Sequence, residues 1–139
     1  MNNSGIYIHI PFCKSRCSYC DFATDVYRNN DSVERYVSAL CKEITNYELR
    51  ITNQVETIYF GGGTPSLLTA KQLEKILASI YKRFSVAPEI EFTLEMNPAT
   101  VTPEKLRDFK TLGVNRASFG VQTFDDRALK LLARGHDAN

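Results

Sequence analysis

The order of strand-like and helix-like segments along the chain limits its fold more than any other feature. Four short segments carry apolar residues at the alternate positions typical of strands, and each is followed by a segment with helical periodicity. Repetition of this order predicts parallel strands, because right-handed crossovers through outer helices place successive strands in the same direction. The sequence therefore predicts an α/β fold with strands at Gly5–Phe12, Val55–Phe60, Ile90–Met96 and Val114–Val121.

Capping residues predict where the helices begin. Asp31-Ser32-Val33-Glu34 has the form of a capping box, in which an acceptor at the helix start is answered by Glu three residues later. Pro103 follows Thr102 at a first helical position, where a missing N–H costs nothing. The predicted helices begin at Asp31, Thr69, Thr102 and Asp125 or Asp126, and the first, third and fourth end near Arg50, Gly113 and Ala133.

Length and composition predict one globular domain. The chain has 139 residues, of which 43% are apolar, enough for a hydrophobic core. Its 17 basic and 16 acidic residues are scattered, so neither nucleic acid nor an anionic membrane is indicated as a partner. The first five residues lack the basic and apolar regions of a signal peptide. These features predict a cytoplasmic protein.

Three cysteines directly after the first predicted strand form the strongest candidate site. Cys13, Cys17 and Cys20 have the spacing C-x3-C-x2-C, and three thiolates on one loop can hold three irons of a [4Fe–4S] cluster while the fourth iron stays open. Cys41 lies on the apolar stripe of the first predicted helix, where a small buried hydrophobe is expected. Disulfides are disfavoured because no secretory signal is present.

Zinc is the alternative metal for this loop. The spacing differs from the paired C-x2-C of zinc sites and from the C-x2-C-x2-C of bacterial ferredoxins. A structural zinc needs a fourth ligand, for which the candidates are His9, Cys41 and the remote His136. Three ligands with one open position favour the cluster, and a catalytic zinc remains open. A structural role is the default for His9.

Four segments in order resemble the radical S-adenosylmethionine (SAM) superfamily, in its branch of oxygen-independent coproporphyrinogen III oxidases and HemW-type heme chaperones. They are Ile8–Cys20 with its three cysteines, Tyr59–Ser66 with three consecutive glycines, Thr93–Pro98 and Gly113–Gln122. The resemblance implies that the open iron chelates the amino and carboxylate groups of SAM. An electron from the cluster then cleaves SAM to a 5′-deoxyadenosyl radical, while the protein supplies position.

The resemblance also implies contacts between individual residues and SAM. Glu95 interrupts an apolar strand near its end, so independently of the resemblance its carboxylate is expected to face a polar cleft. Arg134 could alternatively be a solvated cation at a helix end. The implied contacts are Gly62, Gly63 and Thr64 to the amino group, Glu95 to the polar part, Gln122 and Arg134 to the ribose and carboxylate, Tyr7 along the cofactor and Tyr19 beside the cluster.

The resemblance further implies that the chain is the first part of a larger barrel. Four βα units cannot close a barrel, and an open parallel sheet leaves the fourth strand with an unpaired edge. Residues 1–139 are therefore expected to form the N-terminal portion of a radical SAM core domain, namely the first four units of a partial (β/α)6 barrel, truncated before closure. A complete small doubly wound sheet is the alternative.

Phe22 favours the chaperone subfamily within this branch. The porphyrinogen-oxidising members carry a further cysteine two residues after the third cluster cysteine, where this chain has Phe22. The resemblance then implies heme binding and transfer to an acceptor protein, with an electron donor to the cluster. The heme-contacting residues are expected beyond Asn139. Coproporphyrinogen oxidation and a non-catalytic zinc-binding module are the alternative functions.

Overall fold

A computed structural model describes residues 4–48 and 54–138 of the chain. The helices are α1 (Asn30–Asn46), α2 (Ala70–Arg83), α3 (Pro103–Thr111) and α4 (Asp126–Leu131). The strands are β1 (Ser4–Ile10), β2 (Phe12–Cys13), β3 (Asp25–Val26), β4 (Val55–Gly62), β5 (Val86–Met96) and β6 (Arg116–Phe119). The main sheet has the order β1-β4-β5-β6 with every pair parallel, which confirms the predicted α/β fold.

One face of the sheet carries the hydrophobic core. Alternate residues of the strands point to this face, where Ile8, Phe60 and Leu94 are in register and almost fully buried. Val37 of α1 and Phe109 of α3 belong to the same buried cluster, as do the apolar residues of α2. These three helices therefore cover one face of the sheet, as in the wall of a barrel, whereas a doubly wound sheet has helices on both faces.

The opposite face of the sheet is polar. It carries Tyr7 of β1, Tyr59 of β4 and Thr93 of β5, which are paired in register across the strands. Glu95 lies two residues after Thr93 and therefore on the same face. In the register of β6, Arg116 pairs with Thr93 and donates a hydrogen bond to its hydroxyl at 3.2 Å.

The predicted capping box at Asp31 is wrong. Asn29 is the N-cap of α1, because its side-chain oxygen accepts a hydrogen bond from the Ser32 N–H at 2.9 Å. Glu34 instead accepts a hydrogen bond at 2.8 Å from Gln72 of α2, so a contact between helices replaces the contact with the helix start. The helix ends at Asn46, and the predicted end at Arg50 lies outside the described residues.

Other boundaries differ by a few residues. Thr69 and Thr102 are N-caps as predicted, and α3 is followed by Gly113 with a φ of 101°. The strand β5 starts at Val86, earlier than predicted, while β6 is shorter than predicted because the chain leaves β5 and turns at Gln122, whose φ is 68°. The helix α4 ends at Leu131, not near Ala133, and Cys41 is only partly buried.

Candidate cofactor cleft

A cleft of about 450 Å³ lies at the carboxyl ends of the parallel strands. The chain segments that form it are the cysteine loop (residues 13–20), the glycine loop (residues 61–66), the end of β5, residues 118–122 and the Arg134–Gly135 pair. Parallel α/β folds place ligands at this edge, because the loops that follow the strands converge there.

The cysteine loop is held at its base and near its tip. At the base, the short strands β2 and β3 pair in parallel, and the Tyr27 N–H donates to the Cys13 carbonyl at 2.7 Å. Near the tip, Ser18 donates its N–H to Leu132 at 3.2 Å and its hydroxyl to Leu131 at 3.0 Å. Both acceptors are backbone carbonyls at the C-terminal end of α4. The last carbonyls of a helix have no partners within the helix, so these two are free to accept from Ser18. The loop is therefore fixed both to the segment that follows it and to the distant end of α4.

The glycine loop packs directly against the cysteine loop. The Gly63 N–H donates to the Ile10 carbonyl and the Thr64 N–H to the Phe12 carbonyl, both at 2.8 Å. The Thr64 hydroxyl donates to Cys13 Sγ at 3.5 Å. A Cβ atom on Gly63 would lie 2.7 Å from the Phe12 carbonyl oxygen and 3.0 Å from Cys13 Sγ. Only glycine permits this approach of the two loops without displacement of the backbone.

A buried polar network supports the glycine loop from below. Ser66 is fully buried, and its hydroxyl lies 2.5 Å from the Thr100 hydroxyl and accepts a hydrogen bond from the Asn97 N–H at 3.1 Å. Lys105 of α3 donates to the Ser66 carbonyl, and burial lowers the pKa of this lysine. The sequence analysis did not identify these residues. The network joins the loops that follow β4 and β5.

Glu95 has two donors from β4. The Tyr59 hydroxyl donates to Oε1 at 2.6 Å, and the Gly62 N–H donates to Oε2 at 3.2 Å. The carboxylate is half-buried in the cleft wall, which agrees with the expectation that it faces a polar cleft. An ionised carboxylate is an acceptor with about four lone-pair sites, so this one can still accept from a ligand.

Arg134 reaches across the cleft to the cysteine loop. Its Nη1 donates to Cys17 Sγ at 3.2 Å and to the Tyr19 hydroxyl at 3.4 Å, while Nη2 donates to the Gly120 carbonyl. Within the described part of the chain, its buried Nε has no hydrogen-bond partner. The guanidinium is therefore not a solvated charge at the end of α4, and Gln122 lines the cleft beside it.

The charged side chains of the cleft wall are mostly cationic. Among the described residues of its wall, Lys14, Arg16 and Arg134 are cationic and Glu95 is anionic. Partial burial raises the pKa of the Cys13 thiol, and the hydrogen bond from Thr64 opposes this shift. Smaller effects on the same pKa come from Cys20 and Cys17, which raise it, and from Arg134, which lowers it. A bound metal would reverse this shift, because a coordinated thiol is deprotonated.

Every predicted site residue except Tyr7 lies in the cleft wall. Tyr7 is 58% exposed beside the cleft, where its ring stacks on Tyr59 with centroids 6.0 Å apart. Its hydroxyl lies 3.1 Å from His9 Nδ1, while His9 Nε2 lies 2.8 Å from the Ala23 carbonyl, so both ring nitrogens have partners. The residues that the cleft brings together are Cys13, Cys17, Cys20, Tyr19, Gly62, Gly63, Thr64, Glu95, Gln122 and Arg134.

The sequence analysis assigned no role to Tyr59, Ser18 or Lys14. Tyr59 could have been assigned to the polar face, because it alternates with the apolar residues Ile58 and Phe60 along its strand. Nothing local in the sequence indicates that Ser18 binds the end of α4 or that Lys14 donates to the Ala99 carbonyl at 3.3 Å. These contacts depend on residues far apart in the chain.

In residues 4–48 and 54–138, no three His, Cys, Asp or Glu side chains are grouped closely enough to hold one metal ion. No helix in the same residues is long and apolar enough to cross a membrane.

Comparison with known proteins gives close relatives over nearly the whole chain. HemW, a heme chaperone of Synechocystis, is 43% identical over an alignment of 135 positions, which covers 94% of this chain and 32% of that protein. HemW of Escherichia coli is 39% identical over 94% of this chain and 35% of that protein. The bovine mitochondrial radical S-adenosyl methionine domain-containing protein 1 is 36% identical over 97% of this chain and 30% of that protein.

The fold and the family model agree with these relatives. The solved structure of the Escherichia coli coproporphyrinogen III oxidase HemN, a radical SAM enzyme, matches with a TM-score of 0.90 and 29% identity over 97% of this chain and 31% of that one. The chain thus spans about a third of the length of the proteins it matches. The model of the radical SAM superfamily matches residues 7–139, and the chain therefore belongs to this superfamily.

Proposed function

We propose that this chain binds a [4Fe–4S] cluster and SAM in the cofactor cleft, as part of a HemW-like heme chaperone. The observation that carries the proposal is the placement of three thiols on one wall of a 450 Å³ cleft that also contains Glu95 and Arg134. In this proposal, residues 1–139 are the N-terminal portion of a radical SAM core domain, because the relatives that match are about three times as long.

The residues of the cleft fit an iron–sulfur cluster. Thiolates are the soft ligands that iron–sulfur clusters require, and Cys13, Cys17 and Cys20 are all free thiols. The glycine loop approaches Cys13 so closely that no side chain fits at Gly63. The cleft is also much larger than a single metal ion. We therefore assign the three cysteines as ligands of three irons.

The remaining polar residues fit SAM. The N–H groups of Gly62, Gly63 and Thr64 already donate within the protein, so an amino group beside the glycine loop meets acceptors, among them the Glu95 carboxylate. Arg134 offers a cation to a carboxylate, and among the described residues its buried Nε has no hydrogen-bond partner. Gln122 is assigned to the ribose, with Tyr19 beside the cluster and Tyr7 at the outer edge.

The cofactors supply the difficult chemistry and the chain supplies the geometry. When both are bound, the cluster delivers an electron that cleaves SAM reductively. The chain holds the amino acid portion of SAM in one orientation. Glu95 and the glycine loop bind its amino group, and Arg134 binds its carboxylate. The cluster in turn needs an electron donor, which we place among the partners of the whole protein.

Heme chaperoning is preferred to porphyrinogen oxidation on two grounds. The two HemW heme chaperones named above are 43% and 39% identical to this chain, against 29% for the oxidase structure. Phe22, which lines the cleft and is 67% exposed, stands where the oxidases carry a further cysteine. The high structural similarity to HemN keeps coproporphyrinogen oxidation as the second candidate.

Heme titration of the whole protein that contains this chain separates the two candidates. The expected result is a stoichiometric heme complex that passes its heme to an acceptor protein, with no turnover of coproporphyrinogen III in the presence of SAM and a reductant. Turnover of coproporphyrinogen without a stable heme complex would overturn the chaperone assignment and favour the oxidase. Myoglobin without its heme serves as the positive control for transfer.

A further inference from the structure

Tyr59 lies on the polar face of the sheet, next to the cleft. It is one residue before Phe60 and two before Gly61, so its ring points away from the hydrophobic core. The ring stacks on Tyr7 with an angle of 25° between the planes. Its hydroxyl is directed at β5, where it meets Glu95.

We propose that Tyr59 is a positioning residue, whose hydroxyl fixes the Glu95 carboxylate in the orientation that receives SAM. The inference rests on the proposed function, because it assigns Glu95 to the SAM site. The hydroxyl donates to Oε1 at 2.6 Å and the Gly62 N–H donates to Oε2 at 3.2 Å, so each carboxylate oxygen has one donor. Both donors belong to β4, and together they set the plane of a side chain that belongs to β5.

Gly61 supplies the space for this arrangement. A Cβ atom at this position would lie 2.9 Å from Tyr59 Cε1, 3.0 Å from Tyr7 Cε2 and 3.2 Å from Glu95 Oε2. All three side chains converge on the position that a side chain at residue 61 would fill. The first glycine of the loop therefore accommodates the Tyr59 and Glu95 pair, whereas Gly63 accommodates the cysteine loop.

The contact with Glu95 makes the Tyr59 hydroxyl a weaker acid. The hydrogen bond with Glu95 raises the pKa of Tyr59 to about 12, with burial and the negative charge adding to the shift and Arg116 opposing it. The neighbouring Tyr7 also raises this pKa. The phenol is therefore protonated throughout the physiological pH range and remains a hydrogen-bond donor to the carboxylate.

The test measures SAM affinity by anaerobic calorimetry on the whole protein that contains this chain, with its cluster reconstituted. Tyr59→Phe is expected to weaken SAM binding about tenfold, and Glu95→Gln at least as much, since hydrogen bonds to charged groups are the stronger ones. The double variant is expected to bind no more weakly than Glu95→Gln, because Tyr59 acts through Glu95. Tyr81→Phe, which alters an exposed tyrosine on α2, is expected to bind like the wild type.

The outcomes separate this inference from the proposed function. Failure of the wild-type protein to bind SAM would overturn the proposed function and the inference with it. Normal binding by the wild type and by Tyr59→Phe would overturn the inference alone, and so would losses that add up in the double variant.

A second measurement needs neither cluster nor SAM. Carbon-13 labelling of the tyrosine rings allows the ionisation of Tyr59 to be followed by NMR. In the wild type its resonance should stay that of a protonated phenol at pH values where an ordinary tyrosine has ionised. In Glu95→Gln its pKa should fall toward the ordinary value of 10.0. An unchanged titration would show that the contact between Tyr59 and Glu95 is absent.

Discussion

Cys17→Ala is expected to abolish cluster assembly when the chain is reconstituted anaerobically with iron and sulfide. The substitution removes one of three thiolates from a loop that has no other cysteine, and a cluster held by two protein ligands loses much of its binding free energy. Cys17 lies in the cleft wall, where it accepts a hydrogen bond from Arg134 at 3.2 Å. The substitution therefore changes the cleft and not the hydrophobic core. Iron and sulfide content, with the broad visible absorbance of the cluster, measure the result.

Cys41→Ala is the matched control for this substitution. Cys41 lies on α1, is partly buried against the core, and donates to the Lys75 carbonyl at 3.6 Å. Its replacement is expected to cost some core packing while iron content stays at the wild-type level. Loss of the cluster in Cys41→Ala, or its full retention in Cys17→Ala, would show that the assignment of a three-cysteine site is wrong.

Gly63→Ala is expected to disrupt the cleft although it adds one methyl group. The new Cβ would lie 2.7 Å from the Phe12 carbonyl oxygen, a backbone atom that cannot rotate away. The two loops must therefore separate, which weakens the hydrogen bonds that the Gly63 and Thr64 N–H groups donate to Ile10 and Phe12. Such overpacking typically costs about 1–3 kcal/mol. The free energy of unfolding, measured with urea, should therefore fall. The iron content of the reconstituted chain should fall as well.

Gly135→Ala adds the same methyl group elsewhere in the cleft wall. Its Cβ would lie 3.9 Å from the nearest atom, the Ala99 Cβ, which is ordinary van der Waals contact. The expected change in the free energy of unfolding is within about 0.5 kcal/mol, and iron content should be unchanged. Equal losses in the two variants would contradict the view that Gly63 is required for the close approach of the glycine and cysteine loops.

Local signals in the sequence predicted most of the fold. The alternation that contains Ile58 and Phe60 identified a strand, and Thr69 and Thr102 marked helix starts correctly, because each of these signals lies within a few residues. The predicted start of α1 was wrong, because Asn29 and Asp31 are both favourable N-cap residues. The choice between them involves Glu34, which is engaged by Gln72 of another helix.

The site could be predicted only where it depends on motifs. The cysteine and glycine loops meet because both follow parallel strands, which is a consequence of the topology. The partner of Tyr59 could not be predicted, because the sequences of β4 and β5 do not by themselves determine the register in which the two strands pair. The direction of Arg134 depends on the left-handed φ of 53° at Ala133, a residue type that rarely adopts it.

The electron paramagnetic resonance spectrum of the reduced, reconstituted chain, with and without SAM, tests the central claim most directly. The account predicts a [4Fe–4S] cluster, with about four irons and four sulfides per chain. The spectrum should change when SAM is added, because in the proposed function the amino and carboxylate groups of SAM would bind the open iron. Adenosine, which lacks both groups, should leave the spectrum unchanged. Bound zinc without iron, or a cluster whose spectrum is the same with and without SAM, would contradict the account.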